Sequence, residues 1–241
     1  MTSRVVVVTG STSGIGLACA RRFAADGARV VFNSVNSVEA GEHLAATTPE
    51  AHYVRADVAS GPDCERLVAE TLERYGRLDV LVNNAGVTKV IPHRELDAAT
   101  VDVWRELFEV NVFGTWQLCV AAMAALQESR GNIVNVSSIA GLRPTGSSIP
   151  YCASKAALNH MTVLLAKVVG PEVRVNAVAP GLIDTPWTQN WDAVRSFVRS
   201  VAPLKRSGTA DDVADVIVAL ATTSYVTGQV VAVDGGLTLA T

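Results

Sequence analysis

The chain predicts one α/β domain, a doubly wound parallel sheet with helices on both faces. Three observations carry this. Strand-length apolar runs alternate with amphipathic helical stretches along all 241 residues. The strand-like runs are nearly continuous Val, Ile and Leu, as expected for strands buried on both faces. A glycine-rich loop follows the first of them and opens a helix. Strict alternation requires crossovers, which are right-handed between parallel strands.

The elements follow in order. Residues 4–9 hold four consecutive valines and read as the first strand, and 14–26 as the first helix. Residues 29–33 are the second strand and 38–47 the second helix. Residues 52–56 are strand-like, and 62–75 have helical periodicity with charges on one side. Residues 78–83 form the fourth strand, and 99–127 predict one long helix. Residues 132–137 are a strand and 151–169 a helix opened by Tyr151. Residues 173–179 and 229–233 are the last strands, with a helix at 210–221 between them. No repeat, linker or low-complexity tract interrupts the series.

Composition excludes several classes. Net charge is −3, from 20 basic and 23 acidic residues, without long runs. This offers no nucleic-acid surface and no basic patch for a membrane. Cys19, Cys64, Cys119 and Cys152 lack metal-type spacing, so no metal site is expected and they read as reduced thiols of a cytoplasmic protein. The apolar run at 5–8 meets a glycine loop at once, unlike a signal peptide. No apolar stretch reaches the roughly 20 residues needed to cross a bilayer.

The loop Thr9-Gly10-Ser11-Thr12-Ser13-Gly14-Ile15-Gly16 has the spacing G-x-x-x-G-x-G. Glycines there let backbone N–H groups approach a pyrophosphate, and the helix N-terminus favours its charge. Ser11, Thr12 and Ser13 add candidate hydroxyl donors. After the second strand, an acidic side chain would accept from a ribose 2′-hydroxyl and repel a 2′-phosphate. The chain instead reads Asn33-Ser34-Val35-Asn36-Ser37, with no carboxylate before Glu39. This favours NADP(H) over NAD(H), with Ser34, Asn36 and Ser37 as phosphate donors, although no arginine or lysine follows to pair with the phosphate. Asp57, beside Val58, ends the third strand. It either accepts from an adenine amino group or caps the helix near Pro62.

Tyr151 and Lys155 lie one helical turn apart, and Ser138 stands thirteen residues before the tyrosine at a strand end. A phenol, an ammonium and a hydroxyl in one small volume suit proton transfer to a carbonyl oxygen. A free phenol titrates near 10, so work near neutral pH calls for lowering it. Lys155 and an oxidised nicotinamide ring are the two positive charges available for this. Asn111 is polar within an apolar helix.

In order and spacing, the glycine loop, Asn83-Asn84-Ala85-Gly86, Asn111, Ser138, Tyr151-x-x-x-Lys155 and Pro180-Gly181 resemble the short-chain dehydrogenase/reductase family over essentially the whole chain. The ending Tyr225-Val226-Thr227-Gly228-Gln229 with Val233-Asp234-Gly235-Gly236 looks most like the 3-oxoacyl-(acyl carrier protein) reductases within it. The resemblance implies a Rossmann-type fold, a nicotinamide cofactor, a small carbonyl or alcohol substrate, and a homotetramer or homodimer. It implies that Asn83, Ala85 and Gly86 line the adenosine ribose, and that Pro180, Gly181, Ile183 and Thr185 meet the nicotinamide carboxamide. It makes Ser138, Tyr151 and Lys155 catalytic, with Lys155 also on the nicotinamide ribose. It makes Asn111 the holder of a water that joins Lys155 to solvent.

Residues 185–207 are expected to cover the site as a substrate lid, with Trp187 and Trp191 on one face if the segment is helical. The loop 141–150, with Leu142, Arg143 and Ile149, is the expected opposing wall, and Arg130, Lys205 and Arg206 are candidate contacts for an acidic carrier. The rival reading is a nicotinamide-binding sensor or scaffold without catalysis. An extended epimerase or dehydratase is disfavoured, because little chain remains after Gly181 for a substrate domain.

Overall fold

The structure is a computed structural model that describes residues 3–240. Its first half runs β1 (Val5–Val8), α1 (Gly14–Ala25), β2 (Arg29–Ser34), α2 (Val38–Thr47), β3 (His52–Arg55), α3 (Gly61–Tyr75) and β4 (Val80–Asn83). Next come α4 (Val101–Phe108), a π-helical turn (Glu109–Gly114), α5 (Thr115–Ser129), β5 (Asn132–Val136) and α6 (Ile149–Val169). The chain ends with β6 (Arg174–Pro180), β7 (Ile183–Asp184), α7 (Asp192–Val201), β8 (Gly208–Thr209), α8 (Ala210–Thr222), β9 (Val230–Val233) and α9 (Leu237–Ala240).

Seven strands form one sheet in the order β3-β2-β1-β4-β5-β6-β9, and every pairing is parallel. The chain winds outward from β1 to β3, then returns to β4 on the other side of β1. That reversal leaves a crevice at the carboxyl ends of β1 and β4, where open α/β sheets bind ligands. The expected doubly wound sheet is therefore present, as one domain.

Alternation of side chains divides the core in two. Val7, Val31, Leu81 and Ile133 face α3, α5 and α6, where they meet Leu67, Leu118 and Leu165. Val6, Val8, Phe32 and Val82 face α1 and α8, against Phe23 and Ile217. Each fully buried Val, Leu or Phe contributes about 1.5–3 kcal/mol, so these two layers hold the strand ends in register.

Four expectations change. The helix expected at 99–127 is continuous in path but broken by the π-helical turn, which inserts an extra residue and turns Asn111 inward. Gly114 ends that turn because the helix crosses close to the β3–α3 loop: a Cβ there would lie 2.8 Å from the Val58 carbonyl oxygen. Second, Val101–Ser129 is long and apolar enough to cross a membrane by length and composition, contrary to the sequence expectation. Its Leu118, Ala122 and Leu126 are spent on the core instead. Third, β7 and β8 form a small second sheet that the sequence did not suggest. Helix α6 also starts two residues early, because the Ser148 hydroxyl accepts from the Tyr151 N–H at 3.3 Å and Pro150 occupies the first turn.

A Cβ at Gly16 would lie 2.4 Å from both Asn84 Nδ2 and the Gly10 carbonyl oxygen. Overpacking of this kind costs about 1–3 kcal/mol. Gly16→Ala is expected to lower the Tm by several degrees in a thermal melt; an unchanged Tm would show that α1 has room to move away.

Candidate active site

The glycine loop is held against the end of β4 by paired side chains. The Thr9 hydroxyl accepts from the backbone N–H groups of Asn84 (3.0 Å) and Ala85 (2.9 Å). Asn84 Nδ2 donates in return to the Thr9 and Gly10 carbonyls at 2.8 and 3.0 Å. Gly10 has φ +59°, and a Cβ on it would lie 3.0 Å from Ala85 Cα. Gly14 has φ +54°, and its Cβ would stand 3.4 Å from the Thr185 methyl, across the crevice. Thr12, Ser13, Gly14 and Ile15 line the resulting cleft of about 1160 Å³. The first-turn N–H groups of α1 have no carbonyl one turn back to bond. A backbone cradle that side chains would fill, with free amide donors at a helix start, fits a dinucleotide pyrophosphate.

Some expected contacts lie behind this wall. The Ser11 hydroxyl is buried and accepts from the Asn33 N–H at 2.9 Å, so it stiffens the loop and does not serve as a ligand donor. Gly16 packs on Asn84, and neither Gly16 nor Ser11 lines the cleft. Asn83 also lies inside: its Nδ2 donates to Asn135 Oδ1 at 2.9 Å, joining β4 to β5. Its neighbours Asn84, Ala85 and Gly86 are the ones on the cleft.

At the far end, Asn33 ties three segments together. Its Nδ2 donates to the Val54 and Ala56 carbonyls at 3.1 and 3.0 Å, and its Oδ1 accepts from Gly10 N–H at 3.3 Å. Ser34, Asn36, Ser37, Asp57 and Val58 all line the cleft here. The Ser34 and Tyr53 hydroxyls pair at 2.9 Å. Ser60, not Asp57, caps α3, with its hydroxyl accepting from Asp63 N–H. Asp57 accepts instead from the Ala59 N–H through Oδ1.

Ser138, Tyr151 and Lys155 meet on the cleft's inner wall. Ser138 caps a short 3-10 turn, Ile139–Gly141, and accepts from Ala140 N–H. That turn sits tightly on α6, since a Cβ at Gly141 would lie 2.6 Å from the Lys155 carbonyl carbon. Ser137 is committed elsewhere: its hydroxyl donates to the Lys155 carbonyl at 3.2 Å. Burial pushes the Tyr151 phenol up to about 12, against the pull of its hydrogen bond with Ser138. Lys155 is 4% exposed, and burial pushes its ammonium down to about 8. Its Nζ donates to the Val136 carbonyl at 3.0 Å and lies 5.8 Å from the Tyr151 ring centroid. The sequence expectation joined Lys155 to the positive charge of an oxidised nicotinamide; in the protein alone burial is the leading influence on the phenol.

Asn111 is buried behind the cleft. Its Oδ1 accepts from Val87 N–H at 2.9 Å, and its Nδ2 donates to the Val87 carbonyl and to Ser154 Oγ at 3.0 and 3.1 Å. A Cβ on Gly86 would lie 3.2 Å from Asn111 Oδ1 and 3.6 Å from Lys155 Nζ, so the space beside this glycine joins the two.

Pro180, Gly181, Ile183 and Thr185 line the opposite side. Beyond them, residues 185–207 leave the sheet and return as β8, paired to β7. Asp184 fastens both ends of this excursion, accepting from Arg195 Nε at 2.7 Å and from Ser207 Oγ at 2.6 Å. The Ser207 hydrogen bond, then the Arg195 guanidinium, holds its carboxyl below the usual range. Trp187 lies in a 3-10 turn, Pro186–Thr188, and Trp191 precedes α7, so the two indoles do not share a helix face. Trp191 packs against a small cluster with Leu182, Val198 and Leu237. Trp187, Val194 and Phe197 stay partly exposed on the cleft, as does Val90 opposite. The expected wall, the loop 141–150, does line the cleft, but through 144–147 and not through Leu142, Arg143 or Ile149; residues 90–93 line it as well. Arg206 is paired with Asp212, and Lys205 donates to the Ser200 carbonyl, so these cations serve the fold locally.

Comparison with known proteins fits this geometry. Residues 10–238 match the family profile described as enoyl-(acyl carrier protein) reductase. The chain belongs to the short-chain dehydrogenase/reductase family. A Streptomyces violaceoruber protein, named as ketoacyl reductase 2 of the granaticin polyketide synthase, is 58% identical over 96% of this chain and 95% of its own. The Thermotoga maritima 3-oxoacyl-[acyl-carrier-protein] reductase is 38% identical over 98% of each chain. A solved short-chain dehydrogenase/reductase from Brucella melitensis, titled glucose/ribitol dehydrogenase, superimposes with TM-score 0.91 at 34% identity, covering 97% of this chain and 96% of its own. This dehydrogenase/reductase is an enzyme that transfers hydride between a nicotinamide cofactor and a carbonyl/alcohol pair. The binding-only rival has no support among these relatives.

Sequence reasoning missed several positioning residues of this dehydrogenase/reductase. Thr9 and Asn84 bracket the glycine loop, Gly141 seats Ser138, and Ser148 fixes the start of α6. A strand-ending Thr beside a glycine loop and a Ser-x-Pro before a helix were the available signals.

Gly141→Ala is expected to displace Ser138, lowering kcat for ketone reduction by about tenfold or more and reducing the Tm through overpacking; steady-state kinetics with a thermal melt check this. Lys155 titrates near 8 when folded against 10.5 when free, so the unfolded chain holds the extra proton between those values. Its contribution to stability therefore grows as pH rises through that window. Urea midpoints at pH 7.5 and 9.5 should show wild type gaining on Lys155→Met at the higher pH; a constant difference would refute the burial effect.

Proposed function

We propose that this enzyme reduces a 3-oxoacyl thioester or a kindred apolar ketone with NADPH. The observation that carries it is the convergence of Ser138, Tyr151 and Lys155 on one wall of a cleft whose other end is the glycine-loop cradle. The two relatives named as ketoacyl reductases support the substrate class. So does the apolar mouth made by Val90, Trp187, Val194 and Phe197, which suits an acyl chain.

The cradle at Thr12, Ser13, Gly14 and Ile15 holds the pyrophosphate in this reading, and Lys155 the nicotinamide ribose. Asp57 and Val58 take the adenine, with Ala85 and Gly86 beside its ribose. Pro180, Gly181, Ile183 and Thr185 take the carboxamide. When bound, the cofactor supplies the hydride. Ser138 donates a hydrogen bond to the substrate carbonyl oxygen and fixes its position. Tyr151, protonated across the neutral range, gives its proton to that oxygen as negative charge develops there. Its high pKa in the protein alone suits the reducing direction, since the acid is fully loaded before substrate arrives. Lys155, with its depressed pKa, re-protonates the phenolate. The space beside Gly86 and Asn111 is where a water relays the proton onward. Residues 185–207 act as the lid, excluding water from the reacting carbonyl.

A homotetramer or homodimer accompanies this reading. Phe113, Trp116 and Val120 are exposed on one side of the π turn and α5, and Leu164 and Val168 on α6. Such apolar faces suit packing against a second copy. A cytoplasmic location suits four free cysteines, three of them buried.

Tyr151→Phe is expected to lower kcat for reduction about 10²–10⁴-fold while NADPH affinity stays within a few-fold. NADPH oxidation, followed over short 3-oxoacyl thioesters, cyclic ketones, quinones and sugars, tests both the proton role and the substrate class. Turnover retained in the variant would sink the first, and thioesters turning over no faster than the rest would sink the second.

A further inference from the structure

An unassigned cation stands beside the adenosine end of the cleft, just behind its lining residues. Strand β2 ends at Ser34, the position from which a side chain reaches the ribose 2′ group, and no basic residue follows it in sequence. The neighbouring strand supplies one. Ser34 is in register with Arg55, the last residue of β3. Arg55 Nε donates to the Val35 carbonyl at 3.1 Å, which sets its guanidinium beside a residue that lines the cleft between Ser34 and Asn36.

That single bond uses one donor of the five a guanidinium carries. Among the described residues Arg55 makes no ion pair. The nearest carboxylate to feel its charge is Asp63, which is already held by the Asp57 N–H and by Arg66. Arg66 in turn is engaged by Asp63, Glu70 and the Arg55 carbonyl. Arg55 is therefore the cation at this rim with donors to spare, anchored at its Nε and exposed at its tip.

We propose that Arg55 pairs with the 2′-phosphate of NADP(H), and so sets the cofactor preference of this enzyme from β3 and not from the loop after β2. The hydroxyls of Ser34 and Ser37 and the amide of Asn36 complete the anion site. A planar guanidinium held by one edge presents the other to phosphate oxygens in a two-pronged pairing that lysine does not reproduce. This rests on the NADP(H) reading above.

Equilibrium fluorescence titrations with NADPH, NADH and adenosine 2′,5′-bisphosphate separate the two ideas, using wild type, Arg55→Gln and Arg55→Lys. Arg55→Gln is expected to weaken NADPH and the bisphosphate about tenfold or more, with NADH within twofold. Arg55→Lys should recover only part of the loss. The salt dependence of NADPH binding should flatten in Arg55→Gln. A wild type that binds NADH more tightly than NADPH would overturn the NADP(H) reading and this proposal with it. A wild type that prefers NADPH and keeps the same preference in Arg55→Gln would overturn the assignment of Arg55 alone.

Discussion

The site depends on how closely two backbone segments approach where the sheet reverses direction. Between β1 and β4 the Thr9 hydroxyl accepts two N–H bonds from Asn84 and Ala85, and the Asn84 amide returns two to the loop carbonyls. Four hydrogen bonds, each worth about 0.5–1.5 kcal/mol net, fix the loop without using the donors that face the crevice. Glycines 10 and 16 are required because any side chain would wedge this bracket open. Asn33 repeats the device one strand further out, joining β3 to the same loop. The cradle is rigid because the polar groups behind it are fully spent.

Burial then tunes the reacting groups. Lys155 lies beneath the 3-10 turn that carries Ser138, with its Nζ on the Val136 carbonyl and its own carbonyl taken by Ser137. Taking an ammonium and a phenol out of water pushes their pKa values apart, one down to about 8 and the other up to about 12. The phenol is held in its neutral form, while the ammonium stays mostly charged at neutral pH but loses its proton more easily than a free lysine. In the proposed reaction a carbonyl substrate would meet a proton donor that is loaded, and a lysine that gives up its own proton readily. Positive charge brought by an oxidised cofactor would shift the phenol back towards ionisation, which ties the acid's strength to the direction of the reaction.

The lid is fastened by charge and covered by apolar surface. Asp184 receives Arg195 from α7 and Ser207 from just before β8, so the excursion is closed at its base. Trp191 packs on the small core beneath it and also lines the cleft, where Trp187 and Phe197 stay partly exposed. Two tryptophans that look equivalent in sequence both reach the cleft, but only Trp191 is also part of that small core.

The sequence by itself determined the layer order, the parallel sheet, the glycine cradle and the Ser138, Tyr151 and Lys155 set. Those features rest on local pattern: continuous apolar runs of strand length, helical spacing, and glycines where backbone must be bare. The tertiary structure alone decided what depends on neighbours distant in the chain. It withdrew Ser11, Gly16 and Asn83 from the cleft surface, because their groups are used up by Asn33, Asn84 and Asn135. It turned Asn111 inward through a π turn that apolar periodicity does not reveal. It raised the Tyr151 phenol in the protein alone, because desolvation is set by everything packed around a group. It also carried Arg55 to the end of β2, since strand register, and not sequence distance, fixes which side chains stand together.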